Sequence, residues 1–143
     1  MTEESPRAYT SSFHEDIGLL TVRFGSRYHA AAGQQCLINE VERLSPMQRG
    51  QLRRVLIDCR QVVEADLKDS DRAKLGLVIQ KLERMGLNLA EFTVCVVATH
   101  PTIKERYQRQ RSQTVYGLLL AETVEEGELM LGVEPDTLEE SPR

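Results

Sequence analysis

The sequence predicts a single α/β domain built on a mixed sheet of about five strands, with an N-terminal hairpin and parallel βαβ crossovers. Two short segments near the N-terminus predict strands, and the second alternates apolar with polar residues. Three apolar runs without alternation follow at 55–59, 93–98 and 116–121, and such runs are typical of strands covered on both faces. Because segments with helical spacing separate these runs, the strands are expected to be parallel.

The N-terminal hairpin is expected from residues 8–13 and 18–24. The second segment is the stronger strand, because Leu20, Val22 and Phe24 alternate with polar residues. Two strands this close in sequence are expected to pair antiparallel.

Four helices are expected between and after the later strands. The first begins with Ser26 as its N-cap, where the hydroxyl can accept from a free backbone N–H, and it ends near Leu44. The second begins after Asp69 or Ser70, and Gly86 is a suitable left-handed residue to end it.

The last two helices are shorter, and they complete the domain. One starts at Pro101, and the other is capped by Thr123. The domain is therefore expected to span residues 8–133. Segments 1–7 and 134–143 are polar and contain proline, so they are expected to be flexible termini.

Composition places the chain among ordinary globular proteins. Its 143 residues, 41% apolar and 28% charged, suffice for one domain with its own core. The net charge of −4 argues against nucleic-acid binding, and no apolar run approaches the roughly 20 residues of a membrane helix. Three widely spaced cysteines (Cys36, Cys59 and Cys95) and an N-terminus unlike a signal peptide predict a cytoplasmic protein.

Charge is distributed unevenly along the chain. Residues 121–143 carry eight acidic side chains and one basic side chain, Arg143, whereas the helix expected at 101–112 is basic. A solvated acidic tail is the simpler interpretation. The alternative is a tail that folds back on a basic face.

The basic helix is the candidate contact surface for a protein partner. Arg106, Tyr107, Arg109 and Arg111 combine positive charge with an aromatic ring. A nucleic-acid backbone can also use such a stripe, but the acidic net charge and the low aromatic content favour a protein partner with an acidic surface.

The sequence contains no complete catalytic or metal site. Its cysteines and histidines lack the spacing of a zinc site, and it has no Gly-rich phosphate loop, so no cofactor is expected. Cys59 and His100 each follow a predicted central strand, and together they could form a nucleophilic pair. Because no residue is evident to orient His100, a cysteine-dependent enzyme is the weakest of the hypotheses.

A pocket for a small apolar ligand is a further candidate at the same end of the sheet. Loops that contain Ser26, Val62 and Val63 are expected to meet there, beside Cys59 and His100. The apolar loop residues could close such a pocket, or they could fill the core beneath a long loop.

The layout resembles that of the STAS-like domains, named after sulfate transporters and anti-sigma-factor antagonists. The resemblance spans about residues 9–132 and rests on local strings in the family order. These strings are Phe24-Gly25-Ser26 after the hairpin, the strand 55–58 ending in Asp58, the helix start at Asp69-Ser70, the strand 94–98 and the ending 118–127. The resemblance implies a STAS-like fold.

The resemblance also implies a phosphorylation site. In signalling members, the helix after the central strand begins with a serine in an Asp-Ser-Ser/Thr-Gly string. A partner kinase phosphorylates this serine, and the phosphate ends the binding between the domain and that kinase. Asp69 and Ser70 match this string, whereas Asp71 and Arg72 depart from it. Ser70 is therefore the phospho-switch candidate, and helix capping is the alternative role of its hydroxyl.

These observations predict a non-enzymatic STAS-like regulatory or interaction module. Its partner is expected to be another protein, a second copy of the chain in a homodimer, or a small ligand. The main alternative is a carrier of small apolar, lipid-like ligands, because a divergent branch of standalone family members resembles lipid-transfer folds.

Overall fold

The computed structural model describes residues 9–66, 71–110 and 115–133, and the side chains within them except those of 29–34, 66 and 71–75. The strands are β1 (Tyr9–His14), β2 (Leu19–Phe24), β3 (Arg27–His29), β4 (Arg54–Asp58), β5 (Glu64–Asp66), β6 (Thr93–Val97) and β7 (Gly117–Ala121). The helices are α1 (Ala30–Arg43), α2 (Pro46–Gln51), α3 (Asp71–Arg84), α4 (Pro101–Gln110) and α5 (Val124–Met130).

Five of the strands form one mixed sheet in the order β1–β2–β4–β6–β7. Strands β1 and β2 pair antiparallel, with Tyr9 opposite Phe24 and His14 opposite Leu19. The other three pairings in this sheet are parallel. The predicted hairpin, the parallel crossovers and the mixed five-stranded sheet are therefore confirmed. The expected flexible termini lie outside the described residues.

The start of the first helix differs from the expectation. Ser26 is not its N-cap, because residues 27–29 form β3, which pairs in parallel with β5 in a separate two-stranded sheet. The Ser26 carbonyl oxygen accepts from the backbone N–H groups of Val63 and Glu64, at 2.8 and 2.9 Å. This pairing keeps the chain extended after Ser26, so α1 begins only at Ala30.

The sheet has an apolar core on each face. Along β4, Val55 and Ile57 belong to the first core, whereas Leu56 belongs to the second. The first core includes buried side chains of α1, α3 and α4, and the second lies beneath α5. Because both faces are covered, the parallel strands are apolar at successive positions rather than at alternate ones.

Helix α5 packs closely on the sheet. A Cβ atom at Gly127 would lie 2.9 Å from Cδ1 of Leu56 and 3.1 Å from Cγ2 of Val97, so glycine permits this approach. Thr123 is the N-cap of α5, as predicted, and the Thr123 hydroxyl accepts from the backbone N–H of Glu126 at 3.0 Å. Among the described helices, none has the length and apolar character needed to cross a membrane.

Candidate functional site

A charged cluster lies at the carboxyl ends of two neighbouring strands. Asp58 ends β4, and its side chain is 6% exposed. Arg23 of β2 donates from Nε to Oδ2 of Asp58 at 3.0 Å. Arg60 donates from Nε to Oδ1 and from Nη2 to Oδ2, both at 2.9 Å, and its backbone N–H also donates to Oδ1. The carboxylate is thus held by two guanidinium groups at the edge of the sheet.

Two opposing effects set the charge of this carboxyl group. Burial alone would raise the pKa of Asp58, but the hydrogen bonds from Arg60 and the positive charges of Arg60 and Arg23 more than offset burial. The pKa of Asp58 therefore lies below its ordinary value of 3.8, and Asp58 is ionised at neutral pH. The same contact raises the pKa of Arg60.

The small β3–β5 sheet extends this edge. Arg27 of β3 donates from Nε to Oε1 of Glu64 in β5 at 2.9 Å, and both side chains are exposed. Val63, immediately before β5, is 70% exposed. Some side chains lie at or just after the carboxyl ends of β2 and β4, and others lie in or next to the β3–β5 sheet. Together we call them the carboxyl-edge surface. It consists of Arg23, Arg27, Arg60, Val63 and Glu64.

The five residues expected to form a ligand pocket at this end have different environments. Cys59 is fully buried and Val62 is 5% exposed, and both belong to the first core. Ser26 and Val63 are exposed, and His100 is half-buried. None of the five lines the cavity described below. The sequence analysis gave two roles for Val62, closing a pocket or filling the core beneath a long loop. Its burial fits the second role.

The environment of Cys59 is unfavourable for a nucleophile. Burial, and secondarily the adjacent Asp58 carboxylate, raises the pKa of the Cys59 thiol to about 12, so the thiolate is scarce at neutral pH. His100 accepts through Nδ1 from the backbone N–H of Thr102 at 3.2 Å, at the start of α4. In the described part of the chain, no group of three or more His, Cys, Asp or Glu side chains is arranged to hold a metal ion.

The residues of the contact surface expected on α4 differ in their exposure to solvent. Arg106 is only 6% exposed, and the hydroxyl of half-buried Tyr107 is hydrogen-bonded to that of Tyr28. These two side chains therefore face the protein interior rather than solvent. Arg109 is exposed and lies 3.7 Å from Glu105 on the preceding turn. Arg111 lies outside the described residues.

Two other expectations concern segments at the boundary of the described structure. Ser70 lies outside the described residues, in the connection between β5 and α3. The structure describes the acidic C-terminal segment, residues 121–143, only as far as Val133. Within that part, Glu122 accepts from Lys104 Nζ, so one acidic residue contacts the basic helix α4.

A cavity of about 70 Å³ lies between the sheet and helices α1, α3 and α4, where the sequence analysis placed no site. Its walls are mainly aliphatic side chains of the first core. Its polar lining includes Tyr28 and three residues of α4: Arg106, Tyr107 and Gln110. A signal for the α4 residues was present in the sequence. They lie three, four and seven positions after Ile103, which is the spacing of one helix face.

Comparisons with known proteins identify the fold. No family model matches the sequence, and no curated protein matches it. Among solved structures, the chain is similar to the anti-sigma factor antagonist SpoIIAA in its unphosphorylated form. The identity is 13%, the similarity covers 87% of this chain and 97% of that one, and the TM-score is 0.52. The chain therefore has a STAS-like α/β fold.

Proposed function

We propose that this protein is a non-enzymatic regulatory module that binds a protein partner through the carboxyl-edge surface. The observation that carries the proposal is Val63, an apolar side chain that is 70% exposed and immediately precedes the exposed Glu64 in sequence. The fold supports it, because the similar solved structure is that of an anti-sigma factor antagonist. All three cysteine side chains are buried, and their number and wide spacing in the sequence suit a reducing compartment.

The charges of this surface indicate the chemistry of the partner. Arg23, Arg27 and Arg60 have substantially exposed side chains, whereas the only exposed acid in the defined surface is Glu64. Asp58 is nearly buried beneath them. Arginine is enriched in protein interfaces, and an apolar side chain inside a polar rim is a common anchor. We therefore propose a partner with an acidic surface and a small apolar recess for Val63.

The surface predicted from the sequence provides the competing assignment. Among the described residues of α4, Arg106 is buried and Arg109 is exposed. Arg109 therefore represents the basic surface that the sequence predicted on α4. An Arg109 variant therefore distinguishes the two surfaces in one experiment.

The test is site-specific photo-crosslinking in the source cells, followed by affinity measurement with the captured protein. We expect a photoreactive residue at position 63 to capture one partner, and the same residue at position 109 to capture none. Val63→Asp and Arg27→Glu should each weaken binding of the purified partner at least about fivefold, the effect of losing roughly 1 kcal/mol. Arg109→Glu should leave the affinity unchanged.

Two outcomes would contradict this assignment. If the residue at position 109 captured the partner and Arg109→Glu weakened binding, the contact surface would be on α4, as the sequence predicted. Absence of any captured protein at position 63 would remove the carboxyl-edge surface as an interface. A crosslink between two copies of the chain would identify a homodimer as the partner, and sedimentation of the Val63→Asp variant as a monomer would verify it.

Ser70 is a candidate for regulatory phosphorylation within this proposal. It follows β5 in sequence, and a phosphate adds about two negative charges and strong acceptor oxygens that arginine side chains bind well. Intact-mass spectrometry of the protein from its source, before and after phosphatase treatment, tests this. A mass that phosphatase does not change would remove Ser70 from the proposal.

A second candidate function is a carrier of small apolar ligands. The observation that favours it is the cavity beneath α1, α3 and α4 rather than the loop pocket expected from the sequence. Native mass spectrometry of gently purified protein tests it, since a carrier should retain an added mass that is lost on denaturation.

A further inference from the structure

The cavity lies where two helices on the same face of the sheet are held apart. Helix α3 packs on α1, whereas α3 and α4 make few contacts with each other among the described residues. The floor of the cavity is formed by the sheet, through side chains such as Ile57, Val96 and Leu118. Val78 and Ile79 of α3 form part of the wall, and both are half-buried.

The polar groups of the cavity come largely from one helix. Arg106, Tyr107 and Gln110 of α4 line it, together with Tyr28 from β3. Arg106 is 6% exposed and also interacts with another group of the protein. A guanidinium carries five N–H donors, so it can hold a protein group and a ligand oxygen together. The cavity thus combines apolar walls with a buried positive charge.

The tyrosine pair adds a second donor to the same lining. The hydroxyls of Tyr28 and Tyr107 are hydrogen-bonded to each other, which uses the hydrogen of only one of them. Burial raises the pKa of both hydroxyls, so both keep their hydrogens at neutral pH. Among the described residues, the contacts of this pair include no acceptor for the second hydrogen. A ligand oxygen at this position would accept it.

We propose that this cavity binds a small apolar carboxylate, with its carboxylate held by Arg106 and the Tyr28–Tyr107 pair and its apolar body against the sheet. This inference deepens the second candidate function and rests on it. It is independent of the carboxyl-edge surface.

The size and charge of the cavity narrow the ligand class. A water molecule occupies about 10–15 Å³ on the scale of cavity volumes, so 70 Å³ holds roughly five to seven groups of that size. A cavity of about 150 Å³ binds benzene, so this smaller cavity fits a short aliphatic chain rather than an aromatic ring or a long-chain lipid. The charge of Arg106 disfavours a cationic ligand, and the apolar walls disfavour a strongly hydrated polar one.

The experiment is a titration of the full chain with hexanoate and with benzoate, followed by calorimetry and by NMR shifts of the cavity residues. We expect a dissociation constant below about 1 mM for hexanoate. Benzoate should bind more weakly, because its ring is larger than the cavity. The neutral analogue 1-hexanol has the same number of carbons without the charge, and it should bind at least about tenfold more weakly than hexanoate. Val78 and Ile79 methyl signals should shift on binding.

The variants test the named donors. Arg106→Gln should weaken hexanoate binding about tenfold or more, whereas Arg109→Gln, the same change at an exposed position of α4, should leave binding unchanged. Tyr107→Phe keeps the ring and removes one hydroxyl, so it tests the site if Arg106→Gln fails to fold. It should weaken hexanoate binding more than hexanol binding.

Three results would overturn the proposal. A dissociation constant for hexanoate above about 1 mM would exclude small apolar carboxylates as the ligand class. Equal binding of hexanoate and hexanol would show that the positive charge is not used. Unchanged hexanoate binding by folded Arg106→Gln and Tyr107→Phe would place the ligand elsewhere. Native mass spectrometry separates the two proposals. If one of these results were obtained and another apolar molecule co-purified with the protein, the protein would be a carrier, but not of small carboxylates.

Discussion

Asp58 illustrates how a single buried acid organises the carboxyl end of the sheet. Its side chain is almost inaccessible, yet it remains charged because Arg23 and Arg60 supply hydrogen bonds and opposite charge. Nearby, Arg27 and Glu64 form a similar pair at a similar distance, but both of these side chains are exposed. The two pairs differ mainly in burial, so their contributions to stability should differ.

Replacing Asp58 by Asn should destabilise the protein by about 1–3 kcal/mol at pH 7, because the amide has no charge and offers Arg60 and Arg23 one acceptor oxygen instead of two. The folded pKa of Asp58 lies below its unfolded value, so the wild type has this stabilisation in full above the unfolded pKa. It loses the stabilisation as the pH falls through the folded pKa. Urea unfolding of both proteins at pH 7 and pH 3 should therefore show a smaller difference at pH 3.

Glu64→Gln is the matched control for this prediction. It removes the acid of an exposed pair, which should cost less than about 1 kcal/mol at either pH. If Asp58→Asn had as small an effect as Glu64→Gln, the buried cluster would not be contributing to stability.

At the scale of elements, the helix N-termini show how pairing between distant segments competes with capping. Both Ser26 and Thr123 precede helical segments and have hydroxyls suited to capping. Thr123 caps α5, but the backbone of Ser26 instead bonds to the strand that begins at Glu64. The two hydroxyls should therefore contribute unequally to stability.

Thr123→Ala should lower the free energy of unfolding by about 1 kcal/mol, because the hydroxyl that accepts from the Glu126 N–H is lost. Ser26→Ala should change it by less than about 0.5 kcal/mol, since the native bonds at Ser26 use its carbonyl oxygen and survive the substitution. Chemical denaturation of the two variants measures both values. A loss at Ser26 equal to that at Thr123 would indicate that Ser26 caps a helix after all.

At the scale of the whole molecule, the two cores share one sheet. Neighbouring residues of β4 contribute to opposite cores, so each core is built on the same strands. The protein has four tyrosines and no tryptophan, and all four tyrosines pack in or against the first core. Tyrosine fluorescence therefore reports on one face of the sheet only.

Leu56→Ala should lower stability by about 2–5 kcal/mol by opening a cavity in the second core. Because the cores share strands, we expect tyrosine fluorescence and far-UV circular dichroism to shift together to the same lower denaturant midpoint. Leu129→Ala, the same change at a residue that is 65% exposed, should stay within about 0.5 kcal/mol of the wild type. A tyrosine transition that Leu56→Ala does not move would mean that the two cores unfold separately.

Local patterns in the sequence were sufficient to predict the elements of the main sheet. Val55 to Ile57 and Val94 to Val97 are uninterrupted apolar stretches, and burial on both faces is the physical reason for that pattern. The hairpin followed from its alternation and its short connection, and the order of strands and helices then left few arrangements. Thr123 was predicted as a cap because a threonine before a helical segment needs only local geometry to act as one.

The site features depended on contacts between residues far apart in sequence. Strands β3 and β5 have three residues each, which is too short for periodicity to indicate them, and their pairing is what displaced the start of α1 from Ser26. Arg106 belongs to a basic stripe in the sequence, but the position of α4 against the sheet turned its side chain inward. The cavity is lined by residues of the sheet, α1, α3 and α4, and such a space is a property of assembled volumes rather than of any one segment. The sequence by itself therefore determined the STAS-like framework, whereas tertiary packing decided which charges face solvent and where a cavity remains in the core.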